Sequence, residues 1–143
     1  MFSGNRGANQ RKRGTGCIRD QLVSDIMLRS GLSAPRGRLV LLFLNGLLWG
    51  LYDLHERPDE HFCSAYFGGN DDAYDVLKHS SNTVVNGDAT AFHRAAAHGV
   101  PEPELRSLLN ATDLAIYWLV NVYVGNTDWD HHNWYTCRNR DGT

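Results

Sequence analysis

The chain has 143 residues, 42% of them hydrophobic and 21% charged, with a formal net charge of −2. That is enough chain for one domain with its own core, and the charge gives no reason to expect nucleic acid or an anionic membrane as partner. The basic charge is almost entirely arginine: Lys12 and Lys78 are the two lysines, so any chemistry needing an ammonium group on this chain rests on one of them. The cysteines, Cys17, Cys63 and Cys137, are odd in number and widely spaced. That pattern indicates neither a full disulfide framework nor a zinc knuckle. One pair could form in an oxidising compartment, and spacing does not say which. Met1 to Gly7 carries no apolar core segment of the secretory-signal kind. The longest apolar stretch, Leu39 to Leu44, is too short to span a bilayer.

Residues 1–16 are glycine-rich and polar around the run Arg11-Lys12-Arg13, and read as an N-terminal arm preceding a domain over 17–143. A helix is predicted over 17–30, from Ile18, Leu22 and Ile26 at i+4 spacing, with Gly31 as its stop. Arg38 to Leu44 reads as a buried strand. Asn45-Gly46 supplies a tight turn, and Leu47 to Leu54 returns as partner strand. Gly50 within that strand suggests close approach of another backbone or a ligand. Pro58 suits the first turn of a helix running to about Phe67, with Asp59 and Glu60 where the helix dipole favours acids. A loop over 68–72 precedes a short strand, Tyr74 to Lys78. Asn86-Gly87-Asp88 is a turn, and Asp88 is placed to cap a helix running to Ala97.

The next segment is the most apolar. A helix is expected from Glu102 or Asp113 to Val124, restarted at Thr112 or Asp113. With Leu114, Ile116, Trp118, Leu119, Val120 and Val122 leaving little polar face, it is expected at the centre of the core. Gly125-Asn126 ends it. Trp134 to Arg138 reads as a strand, and the turn at Asn139 to Gly142 has no second strand behind it. This is the signature of a hairpin cut at its turn, whose partner would come from beyond Thr143.

Between that helix and that strand lies Gly125-Asn126-Thr127-Asp128-Trp129-Asp130-His131-His132-Asn133-Trp134. Asp128 and Asn133 are five apart, the spacing at which protein-kinase-type phosphotransferases place the acid that orients the attacking hydroxyl and the amide that holds a magnesium ion. Phosphoryl transfer needs positioning and a hard, oxygen-ligated cation more than a covalent partner. Asp and Asn at such positions also simply cap helices and fill turns. The adjacent His131 and His132 point apart, so a shared transition metal is awkward. Glu56 and Arg57 close the hairpin, either as nucleotide contacts or as a helix-start acid beside an exposed arginine. Lys78 reads first as a surface lysine limiting strand-edge pairing, with phosphate contact as the alternative. The four tryptophans read as core or cleft-wall residues.

Several blocks together resemble the CotH kinase family, in order: Ile18-Arg19-Asp20-Gln21, Phe43 to Tyr52 with its Asn-Gly turn and Trp-Gly-x-Tyr return, Glu56-Arg57-Pro58-Asp59, Tyr66-Phe67-Gly68, Tyr74 to Lys78, Gly125 to Trp129, and His132 to Tyr135. The resemblance covers roughly residues 17–138. It implies an α+β, partial protein-kinase-like fold, with an antiparallel hairpin packed against helices. It also implies ATP and Mg2+ as cofactors and phosphorylation of serines on a protein substrate, with coat or surface proteins as the partners that fit. The catalytic aspartate would fall on Asp128, the metal-binding asparagine on Asn133, and nucleotide contacts on Glu56, Arg57 and Lys78. Family members occur in spore coats and among exported proteins, which points to an extracellular, cell-surface or coat location. The family's second metal-binding aspartate would lie beyond Thr143 and part of its nucleotide site before Ile18. The resemblance therefore implies a domain truncated at both ends, with weak or no ATP binding as it stands. The alternative is a non-catalytic surface, spore-coat or adhesion module on a kinase-like scaffold.

Overall fold

The computed structural model describes residues 16–78, 80–127, 129 and 134–142. The expected N-terminal arm lies almost wholly outside them. The chain divides into two compact units, one ending at Arg57 and the other beginning at Pro58. Helices and small antiparallel sheets make up both.

The first unit is α1 (Gly16–Arg29), β1 (Gly37–Leu44) and β2 (Leu47–His55). α1 ends as its sequence anticipates. Gly31 takes φ +90°, the Leu32 amide donates to the Met27 carbonyl at 3.0 Å, and the Gly31 amide donates to that of Leu28 at 3.2 Å. These are the two bonds that close a helix on a left-handed residue. The hairpin turns at Asn45-Gly46, both with positive φ (50° and 79°), the geometry whose twist matches paired strands. Pairing runs from Gly37↔His55 to Leu44↔Leu47 with one irregularity: Leu42 faces Gly50 and Phe43 faces Leu48, leaving Trp49 as the extra residue of a bulge.

Two expectations are corrected here. Gly50 has φ +147°, and a side chain there would meet only Tyr52 Cε2 at 3.7 Å, an ordinary contact. The bulge's backbone conformation requires the glycine, not crowding by a second backbone. β1 is also not a buried strand: Leu39, Leu41, Phe43 and Leu44 are all exposed, as are Leu47, Leu48, Trp49 and Leu51 on β2. A two-stranded ribbon has two faces and two edges, and among the described residues of this unit α1 is the one helix available to pack on it.

The second unit holds α2 (Glu60–Phe67), β3 (Tyr74–Lys78), β4 (Ser80–Asn86), α3 (Thr90–Ala95), α4 (Glu102–Leu108), α5 (Ala111–Tyr123) and β5 (Tyr135–Asn139), with a single 3-10 turn at Asp71–Ala73. Asp59, not Pro58, opens α2: its Oδ1 accepts the Phe62 amide at 3.0 Å, leaving Pro58 just outside the helix. The sheet order is β4-β3-β5, all antiparallel. β4 was not anticipated. β5 pairs along its full length with β3, from Tyr74↔Asn139 to Lys78↔Tyr135. The last strand therefore has one partner inside the chain, along its β3 side.

β3 is the core strand. Tyr74, Asp75, Val76 and Leu77 are buried, and Cys63 from α2 packs on Tyr74 and Val76, with Phe62, Val85, Tyr135 and Cys137 around them. Burying a carboxylate in such a strand is costly unless it is paired and hydrogen-bonded. Asp75 is both. Its Oδ1 accepts from Arg140 Nη1 at 2.5 Å and from the Asp88 amide at 3.0 Å, and its Oδ2 lies 3.7 Å from Arg138 Nη1. Arg140 also donates to the Asp72 carbonyl. Gly87 passes so close to Asp75, Arg140 and the Tyr74 carbonyl that a Cβ there has no room.

The most apolar segment is two helices, as the expected restart implied, but the cap is Asn110 and not Thr112 or Asp113: its Oδ1 accepts the Thr112 and Asp113 amides at 3.0 and 3.2 Å. α5 is not central to a core. Val120 and Asn121 are its buried residues, whereas Leu114, Trp118, Leu119, Val122 and Tyr123 are exposed. Hydrophobicity all round a helix calls for cover on every side, and the described residues of this unit supply it on one. α3 and α4 are joined by a fork between Arg94 and Glu104, with Nη2 to Oε2 at 2.6 Å.

The Asp75 cluster predicts a large effect of a small change. Asp75→Asn removes the charge that two arginines face in a buried setting, and should lower stability by about 3 kcal/mol. A urea titration reads this directly, and an unchanged midpoint would contradict the account. Asp88 gives a pH prediction. Its carboxylate accepts the Thr90 amide at 2.7 Å, chiefly which holds its pKa below the usual range. The folded value lies under the unfolded one, so its contribution is present above pH ~4 and is lost as pH falls through the lowered value. Asp88→Asn should remove that part of the acid dependence of melting.

Candidate functional site

The candidate loop leaves α5 and enters β5. Its first end is fixed by backbone and side chain together. Gly125 takes φ +64°, the Asn126 amide donates to the Asn121 carbonyl at 3.0 Å, and the Gly125 amide donates to that of Val122 at 3.1 Å. This is the same two-bond closure that ends α1. Asn121, 2% exposed, makes it rigid: its Nδ2 donates to the Tyr117 carbonyl at 2.9 Å, and its Oδ1 accepts Asn126 Nδ2 at 2.8 Å. A buried amide with donor and acceptor both used is stable only in this arrangement.

Two tryptophans then hold the loop at either side. Trp129 meets Tyr117 edge-on at 5.8 Å and Trp118 at 5.3 Å, both on α5. Trp134 stacks on Phe92 of α3 at 5.6 Å, with planes 15° apart. Aromatic pairs of this geometry contribute about 1 kcal/mol each beyond their burial. Burial also pushes the Tyr117 phenol up. Asp128 and Asn133, the catalytic and metal-binding candidates, lie outside the described residues, as do Asp130, His131 and His132. Asp128 is thus the immediate neighbour of one anchored tryptophan and Asn133 of the other.

Lys78 is brought to this end of the sheet. It pairs in register with Tyr135, two residues after Asn133, and its Nζ lies 5.4 Å from the Tyr135 ring centroid. Cation–π contact of this kind holds an ammonium in place while keeping its charge. Glu56 and Arg57 belong to the first unit. Glu56 ties down the base of the hairpin: its Oε2 accepts the Arg36 amide at 2.9 Å, and its own amide donates to the Arg36 carbonyl at 3.0 Å. One turn earlier on β2, Asp53 Oδ2 stands 3.5 Å from His55 Nδ1. Among the described residues there is no group of three or more His, Cys, Asp and Glu placed to hold a metal ion.

Sequence reading missed the residues that support the loop. Asn121 was hidden inside an apolar helix, where the signal was the lone amide five residues before a second asparagine. Asp75 stood in a block used for the family likeness, but its role went unassigned; an acid between Tyr74 and Val76 on a buried strand was the available sign.

A family model described as CotH kinase protein matches residues 13–103. The chain belongs to the CotH kinase family. The matched span is shorter than the likeness over 17–138, and it includes the hairpin, Glu56, Arg57 and Lys78 but stops before α5. The CotH assignment therefore rests on the hairpin and the first sheet strands, while the candidate loop stands on its own residues and anchors. No curated protein and no solved structure matched this CotH chain. No helix among the described residues is long and apolar enough to cross a membrane.

The loop's dependence on Asn121 is open to measurement. Asn121→Ala removes the acceptor for Asn126 and should cost about 2 kcal/mol. It should also speed amide hydrogen exchange at residues 124–127 more than in β3. Uniform exchange across both segments would show that the asparagine pair does not hold the loop.

Proposed function

We propose that this CotH-family chain contributes the catalytic loop and part of the nucleotide site of an ATP-dependent protein kinase, transferring the γ-phosphate to hydroxyls on a protein substrate. The observation that carries the reading is that Trp129 and Trp134, which flank the acid and amide in sequence, are each anchored on a helix, with Lys78 on the Tyr135 ring at the start of β5. Rigid flanks around a short polar bend are what a positioning mechanism requires, because phosphoryl transfer is governed by placement and charge.

In this reading Asp128 orients the acceptor hydroxyl and takes its proton. Asn133 offers a carbonyl oxygen, a donor suited to a hard divalent cation. Mg2+ bound there would supply neutralisation of charge developing on the phosphate oxygens. Lys78 adds a fixed positive charge for phosphate, and Glu56 and Arg57 are the first unit's own nucleotide-contact residues in this proposal. The kinase-like fold and the use of ATP are part of this proposal, with the CotH family assignment as their support.

The test uses the chain extended by the flanking sequence of its own gene, labelled ATP, Mg2+ and a serine-rich acceptor protein. Asp128→Asn should lower transfer ~100-fold with the fold intact by circular dichroism. Asn133→Ala should raise the magnesium concentration needed for half-maximal nucleotide binding. Transfer unchanged in Asp128→Asn overturns the catalytic assignment. The exposed apolar hairpin, with Phe43, Leu47, Leu48 and Trp49 at its tip, favours a second reading as a non-catalytic surface or adhesion module. That reading predicts partner binding undiminished by Asp128→Asn and lost with Trp49→Asp.

A further inference from the structure

Of the three cysteines, two are brought together. Cys63 lies on the inward face of α2, 2% exposed, in contact with Tyr74 and Val76 of β3. Cys137 lies on β5, directly opposite Val76 in the strand register, and packs against that same cluster. α2 and β5 thus meet over Val76, each presenting a sulfur, and both thiols are reduced. The proximity of the two sulfurs is the main influence on both: Cys137 pushes the Cys63 thiol up, and Cys63 draws the Cys137 thiol below the ordinary value. Cys137 is also the more accessible of the two. Cys17 sits on α1 in the other unit.

We propose that Cys63 and Cys137 form a redox pair whose disulfide clamps α2 to β5. The oxidant is an external disulfide, either a small thiol–disulfide couple or a disulfide-donating protein. The Cys137 thiolate attacks one sulfur of that disulfide, forming a mixed disulfide and releasing the first thiol. The Cys63 sulfur then attacks Cys137, expelling the second thiol. Two electrons pass to the external disulfide, and the two protons lost from Cys63 and Cys137 end on the two released thiols. The order follows from accessibility: the half-buried Cys137 meets the reagent, and the buried Cys63 resolves the intermediate from within.

The consequence is mechanical. β5 is the strand into which the candidate loop runs, and α2 follows directly on the hairpin-closing Glu56-Arg57-Pro58-Asp59 segment. The link would fix the exit of the loop to the helix packed on β3 and close a ring spanning residues 63–137. A ring of that length restricts the unfolded chain strongly. This inference does not depend on phosphoryl transfer and would hold equally in a binding module.

The test is to equilibrate the 143-residue chain with oxidised and reduced glutathione, quench with an alkylating reagent, and map peptides without reduction. The expected result is loss of two of three free thiols, a single crosslinked peptide pair containing Cys63 and Cys137, and Cys17 alkylated. The oxidised form should melt roughly 10 °C above the reduced form. Cys17→Ser should leave the pair intact, and Cys137→Ser should abolish both the crosslink and the shift. With limiting alkylating reagent, Cys137 should react before Cys63. Three free thiols at the most oxidising ratio, or a crosslink that includes Cys17, overturns the proposal; both results are read on the unsubstituted chain, so misfolding of a variant cannot obscure them.

Discussion

The second unit is organised around one buried negative charge. Asp75 sits in the middle of the core strand, where an unpaired carboxylate would be strongly unfavourable. Its compensation comes from three groups in two places: Arg138 and Arg140 at the end of β5, and the backbone amide of Asp88 in the turn after β4. Each of these segments has to arrive for the charge to be satisfied, so Asp75 specifies which strands flank β3 and where the β4 turn lies. The crowding at Gly87 follows directly: the turn must come close enough to donate its amide, and no side chain fits between. Such buried ionic groups contribute more to arrangement than to net stability.

With the sheet order set, the placement of the candidate loop follows. β5 is held against β3, Trp134 at its start stacks on α3, and at the other side Asn121 and Trp129 secure the exit from α5. Both described ends of that segment are thus fixed by residues outside it, the rigid support that the proposed function asks for. The CotH family match and these anchors are independent lines: one comes from the hairpin and the early strands, the other from aromatic and amide contacts beyond the matched span.

Local signals were legible in the sequence wherever the cause was local. The Asn45-Gly46 turn, the Gly31 and Gly125 helix stops, the α2 start and the β3 and β5 strands all depend on residues within a few positions of one another. What failed to show was anything set by distant partners. Apolar composition suggested burial for β1 and α5, yet burial depends on what covers a face, and composition does not report that. The pairing of β5 with β3 was hidden because β3 lies far upstream. The break at Asn110 was misplaced to Thr112 or Asp113 because any of these polar residues can cap, and only one has its side chain turned onto the following amides. For the candidate site, the acid and amide spacing was visible while the supporting Asn121 and Asp75 were not. A single polar residue inside an apolar stretch carries no mark of the bond that justifies it.

The pairing of β3 with a strand from the far end of the chain has an implication for synthesis. Asp75 and Arg140 are 65 residues apart. During synthesis the core strand is made 65 residues ahead of Arg140, and its carboxylate lacks that partner until β5 has followed. Contacts of such long sequence separation are slow to form because the intervening chain must first be closed. β5, and with it the Trp134 anchor at its start, is therefore ordered late, and a chain interrupted before Arg140 would leave the middle strand's charge without its nearest partner.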